Sequence, residues 1–235
     1  MRLREWVLTQ YRIPFSRFDV PPTLVGHLRG RGPISLIDIG ASSGEFTETL
    51  SKVCPLREAL LIEPIPKRCD QLKSRFAQRD FQIVCGAVGD KEASLQMEVL
   101  KFDYSSSILP VLRSDPNVTS QVNLDVSETI TTRLRPLDNI CADAGMTGPV
   151  DLLKIDVQGS EHLVLEGARE TLRRVRAIWM EVSFRPLYEG AARFEAIYDL
   201  CRKAGFRLSN LAEGFRGHDG ELLQGDALFI RAEGL

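Results

Sequence analysis

The sequence predicts an α/β protein built on a doubly wound sheet of mostly parallel strands. Three observations lead there. Short apolar runs alternate along the chain with amphipathic stretches of helical length. The first of these runs, in LIDIGASSGEF (Leu36 to Phe46), ends on Gly40 and turns directly into a helix. A single β-rich interruption, at about residues 93–136, breaks an otherwise regular alternation. Strands separated by helices in this way form βαβ units, which lie parallel in one sheet.

Taken in order, residues 1–33 read as a helical preamble, with a helix over 23–28 behind the turn Pro21-Pro22. The main domain spans 34–235. It starts with a strand over 35–39, a helix over 45–53 and a strand over 59–62. A helix over 66–77 comes next; it opens on Pro66, whose missing N–H is no loss in a first turn. Residues 81–88 form the third strand. Within the interruption, LQMEVLKF and ETITTRLRPL carry the pattern of antiparallel strands, and a serine-rich stretch lies between them. The alternation resumes with a strand over 151–157, a helix over 160–173 with Ser160 at its N-cap, and a strand over 177–182. A helix over 193–204 stops at Gly205. Residues 206–211 and 227–231 close the sheet as a pair of strands.

The composition, 235 residues with 43% hydrophobic and 26% charged, is that of an ordinary globular chain. A formal net charge of −2 offers no footprint for nucleic acid, which needs a basic face. No apolar stretch approaches the roughly 20 residues of a membrane span. Charged residues also interrupt MRLREWVLTQYRIPF before a signal-peptide core forms. Cys54, Cys69, Cys85, Cys141 and Cys201 are widely spaced with no C-x-x-C pair. They read as free thiols of a reducing, cytoplasmic setting and not as a zinc site.

Ligands of doubly wound sheets sit outside the carboxyl ends of the strands. The residues expected there are Gly40, Glu63, Gly86 with Ala87, Asp156 and Glu181, three of them carboxylates. The loop Gly40-Ala41-Ser42-Ser43-Gly44 is not the G-x-G-x-x-G fingerprint, so a dinucleotide pyrophosphate is disfavoured. Glu63 comes 23 residues after Gly40 and ends the second strand, where a carboxylate accepts ribose hydroxyls and repels a 2′-phosphate. Asp38, just before the loop, adds negative charge. A ligand with an adenosine ribose, no phosphate and a positive charge fits, and S-adenosylmethionine meets that description. A tight turn that binds nothing is the structural alternative for the loop.

LLKIDVQGSEHLVLEGA, from Leu152 to Ala168, is the second constellation. Asp156 ends the fourth core strand, where a carboxylate with no local cap to make needs another partner. Glu161 suits the first turn of a helix through the macrodipole, and His162 stands beside it.

The ordered series IDIGASSGEF, IEP at 62–64, AVGD at 87–90, the serines at 105–107, KIDVQGSEHLVLEGA, MEVSFRPLYEG and QGDALFIR resembles the FkbM family of S-adenosylmethionine-dependent methyltransferases. The resemblance covers nearly everything from about residue 34. It implies a class I methyltransferase fold, with seven strands and the last one antiparallel. It also implies O-methylation of sugars or of small-molecule hydroxyls, with Asp38, Gly40, Ser42 and Glu63 at the cofactor; Gly44 of the loop and Ala87 at a strand end are expected beside them. Gln158 is a departure, since many relatives have glutamate there; glutamine keeps the hydrogen bonds and loses the charge.

Methyl transfer is an in-line displacement dominated by positioning, and a hydroxyl acceptor must also lose a proton. Asp156, Glu161 and His162 are the expected catalytic groups, with Glu181 behind them. A divalent metal held by Asp156 and Glu181 is an option that no spacing demands. The variable middle, about residues 101–129, is expected to wall the acceptor site and to cover the cleft. The rival readings are a nicotinamide oxidoreductase, a nucleic-acid methyltransferase and a non-catalytic S-adenosylmethionine-binding module.

Overall fold

The central strands are apolar on both faces because both faces are covered. A computed structural model of the chain describes residues 20–101, 105–113 and 124–232. The elements at its centre are β1 (Ile34–Ile39), β2 (Leu56–Glu63) and β3 (Gln82–Cys85). The interruption contributes β4 (Ala87–Val88), β5 (Ala93–Leu100) and β6 (Val126–Arg135). After it come β7 (Val150–Ile155), β8 (Val175–Ser183), β9 (Phe206–Glu213) and β10 (Gln224–Arg231). The main sheet has seven strands in the order β3-β2-β1-β7-β8-β10-β9. β10 runs antiparallel between β8 and β9, while β1, β2, β3, β7 and β8 pair in parallel. The expected seven strands with the last one antiparallel are present.

Alternate residues of each strand enter two different cores. Ile37, Ile39, Leu153, Ile178 and Phe229 belong to one cluster, and Leu36, Leu152, Trp179 and Leu228 to the other. Helices α1 (Pro22–Leu28), α2 (Glu45–Val53) and α3 (Pro66–Arg75) cover the second. Helices α4 (Leu137–Asp143), α5 (Glu161–Glu166), α6 (Arg169–Arg174) and α7 (Phe194–Lys203) cover the first. This two-sided burial makes parallel strands read as continuous apolar runs.

The interruption folds as a second sheet, β4-β6-β5, in which β5 and β6 are antiparallel. Its Met97 and Val99 pack on Ile65, just past the carboxyl end of β2. The hairpin therefore stands over the ligand end of the main sheet. Between β5 and β6, residues 102–104 and 114–123 lie outside the described residues, as do residues 1–19 of the preamble.

Four details differ from expectation. The strand expected over 81–88 is two strands in two sheets, divided at Gly86, whose N–H donates to Glu63 O at 3.0 Å. The helix expected over 160–173 breaks at Gly167, where an added Cβ would overlap the carbonyl of Gly89, so close packing interrupts the helical pattern. Helix α4 falls in a stretch whose pattern had suggested no element. Cys69 and Cys85 form a disulfide, their Cα atoms 5.9 Å apart, while Cys54, Cys141 and Cys201 are free and buried. That corrects the expectation of five free thiols and removes the compartment argument built on it. The pair meets because α3 packs beside β3, a tertiary contact that leaves no local spacing signal.

Phe229 is fully buried at the middle of β10. Phe229→Ala is expected to cost about 3–5 kcal/mol in urea denaturation, through lost burial and the cavity left behind. A loss below about 1 kcal/mol would mean that the two cores are not packed around β10 as described.

Candidate active site

The carboxyl ends of β1 and β7 meet around one buried cation. Lys154, 7% exposed, donates from Nζ to Gly40 O at 3.0 Å and pairs with Asp38 Oδ1 at 3.1 Å. Asp156 Oδ2 lies 3.8 Å from the same ammonium. The second oxygen of Asp38 accepts from Thr47 Oγ1 at 2.6 Å. Asp38, fully buried, thus braces the glycine loop from behind; its charge is balanced within the protein, and it does not line the cleft.

Gly40 is obligatory at the turn. Its φ is +72°, and an added Cβ would overlap the backbone carbonyl of Asp156. Four of the loop's five N–H groups are engaged internally. Gly40 and Ala41 both donate to Ile62 O, Gly44 to Ala41 O, and Ser42 to Glu63 Oε2 at 2.9 Å. A phosphate nest needs those N–H groups pointing at the ligand, so this loop is not built as one. Gly44 itself lies under the loop, facing Phe76 and Leu72 of the core.

Glu63 stands at the end of β2 with one N–H on each oxygen, Ser42 on Oε2 and Ile65 on Oε1 at 3.0 Å. Burial pushes its carboxyl above the usual carboxylate range, against the pull of those two N–H groups and of Arg68 and Lys154. Arg68, 6% exposed on α3, reaches across to Ser42 Oγ and, at 3.3 Å, to Ser43 Oγ. This pins the loop at Ser42, a non-glycine residue with φ of +54°.

A cleft opens between these strand ends and the second sheet. Gly40, Ser42, Glu63, Ala87 and Asp156 line it, joined by Met97, Ser107 and Ile108 from the cover. Arg68, Glu45 and Lys154 line it as well; the sequence reading passed over them. The lysine in the apolar run LLKID was the available signal for Lys154. Arg68 and Glu45 looked like ordinary charges on helices.

Glu161 and His162, expected as catalytic groups, do not line the cleft. Glu161 is 5% exposed and turned back, accepting Val157 N–H at 3.3 Å and Gly159 N–H at 3.1 Å. His162 faces Glu166 and Asp90, and burial pulls its ring below the usual histidine value. The helix-start pattern explains both positions without chemistry. Ser160 does not cap the helix either; its hydroxyl donates to Val157 O at 3.2 Å. Glu181 lies on the next strand and accepts Gln224 Nε2 at 2.7 Å.

The cleft therefore has a carboxylate at the end of β2 and a second carboxylate beside a lysine at the end of β7. A family model described as a methyltransferase FkbM domain matches residues 38–208, the span that holds all of these groups. The chain belongs to the FkbM methyltransferase family. Within that family-level likeness, 2-O-methyltransferase NoeI of Sinorhizobium fredii is 29% identical over 231 residues, 94% of this chain and 90% of NoeI. The AMB antimetabolite synthetase AmbE of Pseudomonas aeruginosa is 26% identical over 202 residues, 74% of this chain but 10% of AmbE. Among solved structures, the magnesium protoporphyrin IX methyltransferase of Synechocystis PCC 6803 aligns with 96% of this chain and 91% of its own, at TM-score 0.47 and 10% identity. Among the described residues of this FkbM methyltransferase, no helix is long and apolar enough to cross a membrane.

Glu161 also supplies a test of this part of the methyltransferase. Burial, aided by the charge of Asp156, pushes its carboxyl from 4.5 up to about 7. A folded value above the unfolded one gives stability that is complete below about pH 4.5 and is lost as pH rises through about 7. The swing is on the order of 3 kcal/mol. Glu161→Gln should remove that slope, so the variant gains on the parent between pH 5 and pH 8 in urea denaturation. Parallel pH curves for the two proteins would show that Glu161 is not held in this buried state.

Proposed function

We propose that this methyltransferase is an O-methyltransferase that uses S-adenosylmethionine as methyl donor and a hydroxyl of a small molecule or sugar as acceptor. The proposal takes residues 34–235 as the catalytic domain and 1–33 as its preamble. One observation carries the cofactor reading: the glycine loop gives four of its five N–H groups to the protein, while Glu63 faces the cleft with acceptor capacity remaining on both oxygens. An adenosine ribose without phosphate suits that pair of features. Glu45 adds to the fit, because it lines the cleft with one carboxylate oxygen buried and unpartnered among the described residues. That oxygen suits the ammonium of the methionine tail. The 2-O-methyltransferase name of the relative NoeI supports oxygen as the acceptor atom. The net charge of −2 favours a small acceptor over nucleic acid.

S-adenosylmethionine, when bound, supplies a methyl group on a positively charged sulfur. Glu63 holds the ribose. Gly40 and Ala41 let the ligand approach the loop, and Ala87 and Ile108 contribute apolar wall. Asp156 takes the proton from the acceptor hydroxyl. Lys154 Nζ lies 3.8 Å from one of its oxygens, and Asp156 lines the cleft, where a base must stand. Asp38 works indirectly, by holding Lys154 and the loop.

Glu63→Ala should weaken S-adenosylhomocysteine binding in calorimetry by about 1.5–3 kcal/mol, the range for hydrogen bonds to a charged group. Unchanged affinity would remove Glu63 from the site, and tighter binding of NAD than of S-adenosylhomocysteine would end the cofactor reading.

Asp156→Asn should hold S-adenosylhomocysteine affinity within a few fold. Its transfer of labelled methyl to a panel of sugar and small-molecule hydroxyls should fall by about 10²–10⁴ relative to the parent. Equal transfer by the variant would exclude Asp156 as the base, and no transfer by either protein across a broad panel would favour a binding module.

A further inference from the structure

Gln158, the residue that departs from the resemblance, has no part in the reading above. The structure gives it an unusual set of partners. Its side-chain Nε2 donates to Asp156 Oδ1 at 2.7 Å and to Glu181 Oε2 at 3.1 Å. An amide nitrogen has two hydrogens, and here each goes to a different carboxylate. The orientation of the amide is dictated by chemistry: ionised carboxylates only accept, so nitrogen and not oxygen must face them.

The residue is held in place at some cost. Gln158 is 6% exposed and has φ of +57°, a left-handed conformation that side chains other than glycine seldom adopt. Ser107 Oγ donates to its carbonyl at 2.7 Å, tying it to the cover of the cleft. Tyr188 Oη lies 2.8 Å from Ser105 O and 3.1 Å from Gln158 Oε1. The tyrosine has one proton for two acceptors, so the cover segment and Gln158 share it.

We propose that Gln158 is the positioning residue for Asp156, and that its amide stands where a divalent cation would otherwise be needed to hold Asp156 and Glu181 together. The proposal rests on the reading of Asp156 as the acceptor's base. Two carboxylates within hydrogen-bond distance of one nitrogen repel each other unless a proton, a cation or donors stand between them. Donors stand there: two N–H bonds from Gln158, another on Glu181 from Gln224, and the Lys154 ammonium on the far oxygen of Asp156. The lysine and the amides therefore settle the pair within the protein. A carboxylate at position 158 would change the chemistry, because three converging carboxylates form the hard oxygen set that magnesium or manganese takes. Among the described residues, no group of three or more His, Cys, Asp or Glu is placed to hold a metal.

The test is a manganese chloride titration of the full chain saturated with S-adenosylhomocysteine, read as free Mn²⁺ by electron paramagnetic resonance and as a shift in melting temperature. The parent should show no saturable site that Asp156→Asn removes. Gln158→Glu should gain one, at least tenfold tighter than anything in the parent, and Asp156→Asn in that background should abolish it. Two results would overturn the proposal. One is a folded Gln158→Glu protein that gains no site, and the other is a parent site that disappears in Asp156→Asn. Should Gln158→Glu not fold, the comparison of parent with Asp156→Asn decides alone. Cofactor affinity is measured on every variant. Intact S-adenosylhomocysteine binding with the wrong manganese result refutes this inference only, whereas lost binding in the parent refutes the cofactor reading beneath it.

Discussion

The site depends on a single buried ammonium. Lys154 enters the sheet from β7 with its charge almost out of reach of water, and such a charge is tolerated only when paired and hydrogen-bonded. Asp38 on β1, the carbonyl of Gly40 and Asp156 supply that environment. The contacts join two adjacent strands at the point where both release the chain into ligand-facing loops. The turn at Gly40 is held by the same interaction. Loss of one partner leaves an uncompensated charge in the interior, typically worth about 3–5 kcal/mol, so the whole corner is bound together.

Around that corner the protein holds its remaining polar groups in fixed roles. Burial raises the Glu63 carboxyl above the usual carboxylate range, and two backbone N–H groups and Arg68 oppose that rise. Arg68 also pins Ser42, and Ser42 in turn donates to Glu63. The loop is therefore preorganised as a surface of oxygens and apolar carbon, with no row of N–H donors directed outward. Preorganised polar groups in a partly enclosed cleft are what positioning catalysis requires. Met97 of the second sheet, with Ser107 and Ile108 of the segment that follows β5, completes the enclosure.

Much of this was legible beforehand because it is written in local patterns. The strand–turn–helix at LIDIGASSGEF, the 23-residue step to Glu63 and the acid ending KID are short-range signals, and the structure brings Gly40, Ser42, Glu63 and Asp156 to one cleft. Glu161 and His162 drew attention for the same reason, though they do not line the cleft. A helix start beside a strand end looks catalytic in one dimension, and only the direction of the side chain separates a latch from a base. Arg68, Glu45 and the Cys69–Cys85 pair had no local signature at all.

The sequence by itself determined the alternation of strands and helices, the β-rich interruption and the identity of the strand-end carboxylates. These are set by periodicity and turn chemistry within a few residues of chain. Only the tertiary structure decided which charges meet. Lys154 pairs with Asp38 on a strand far back in the chain, and Gln158 bridges Asp156 to Glu181 on the next strand. Electrostatic partners are chosen by distance in space and by exclusion of water, and neither quantity can be read along the chain.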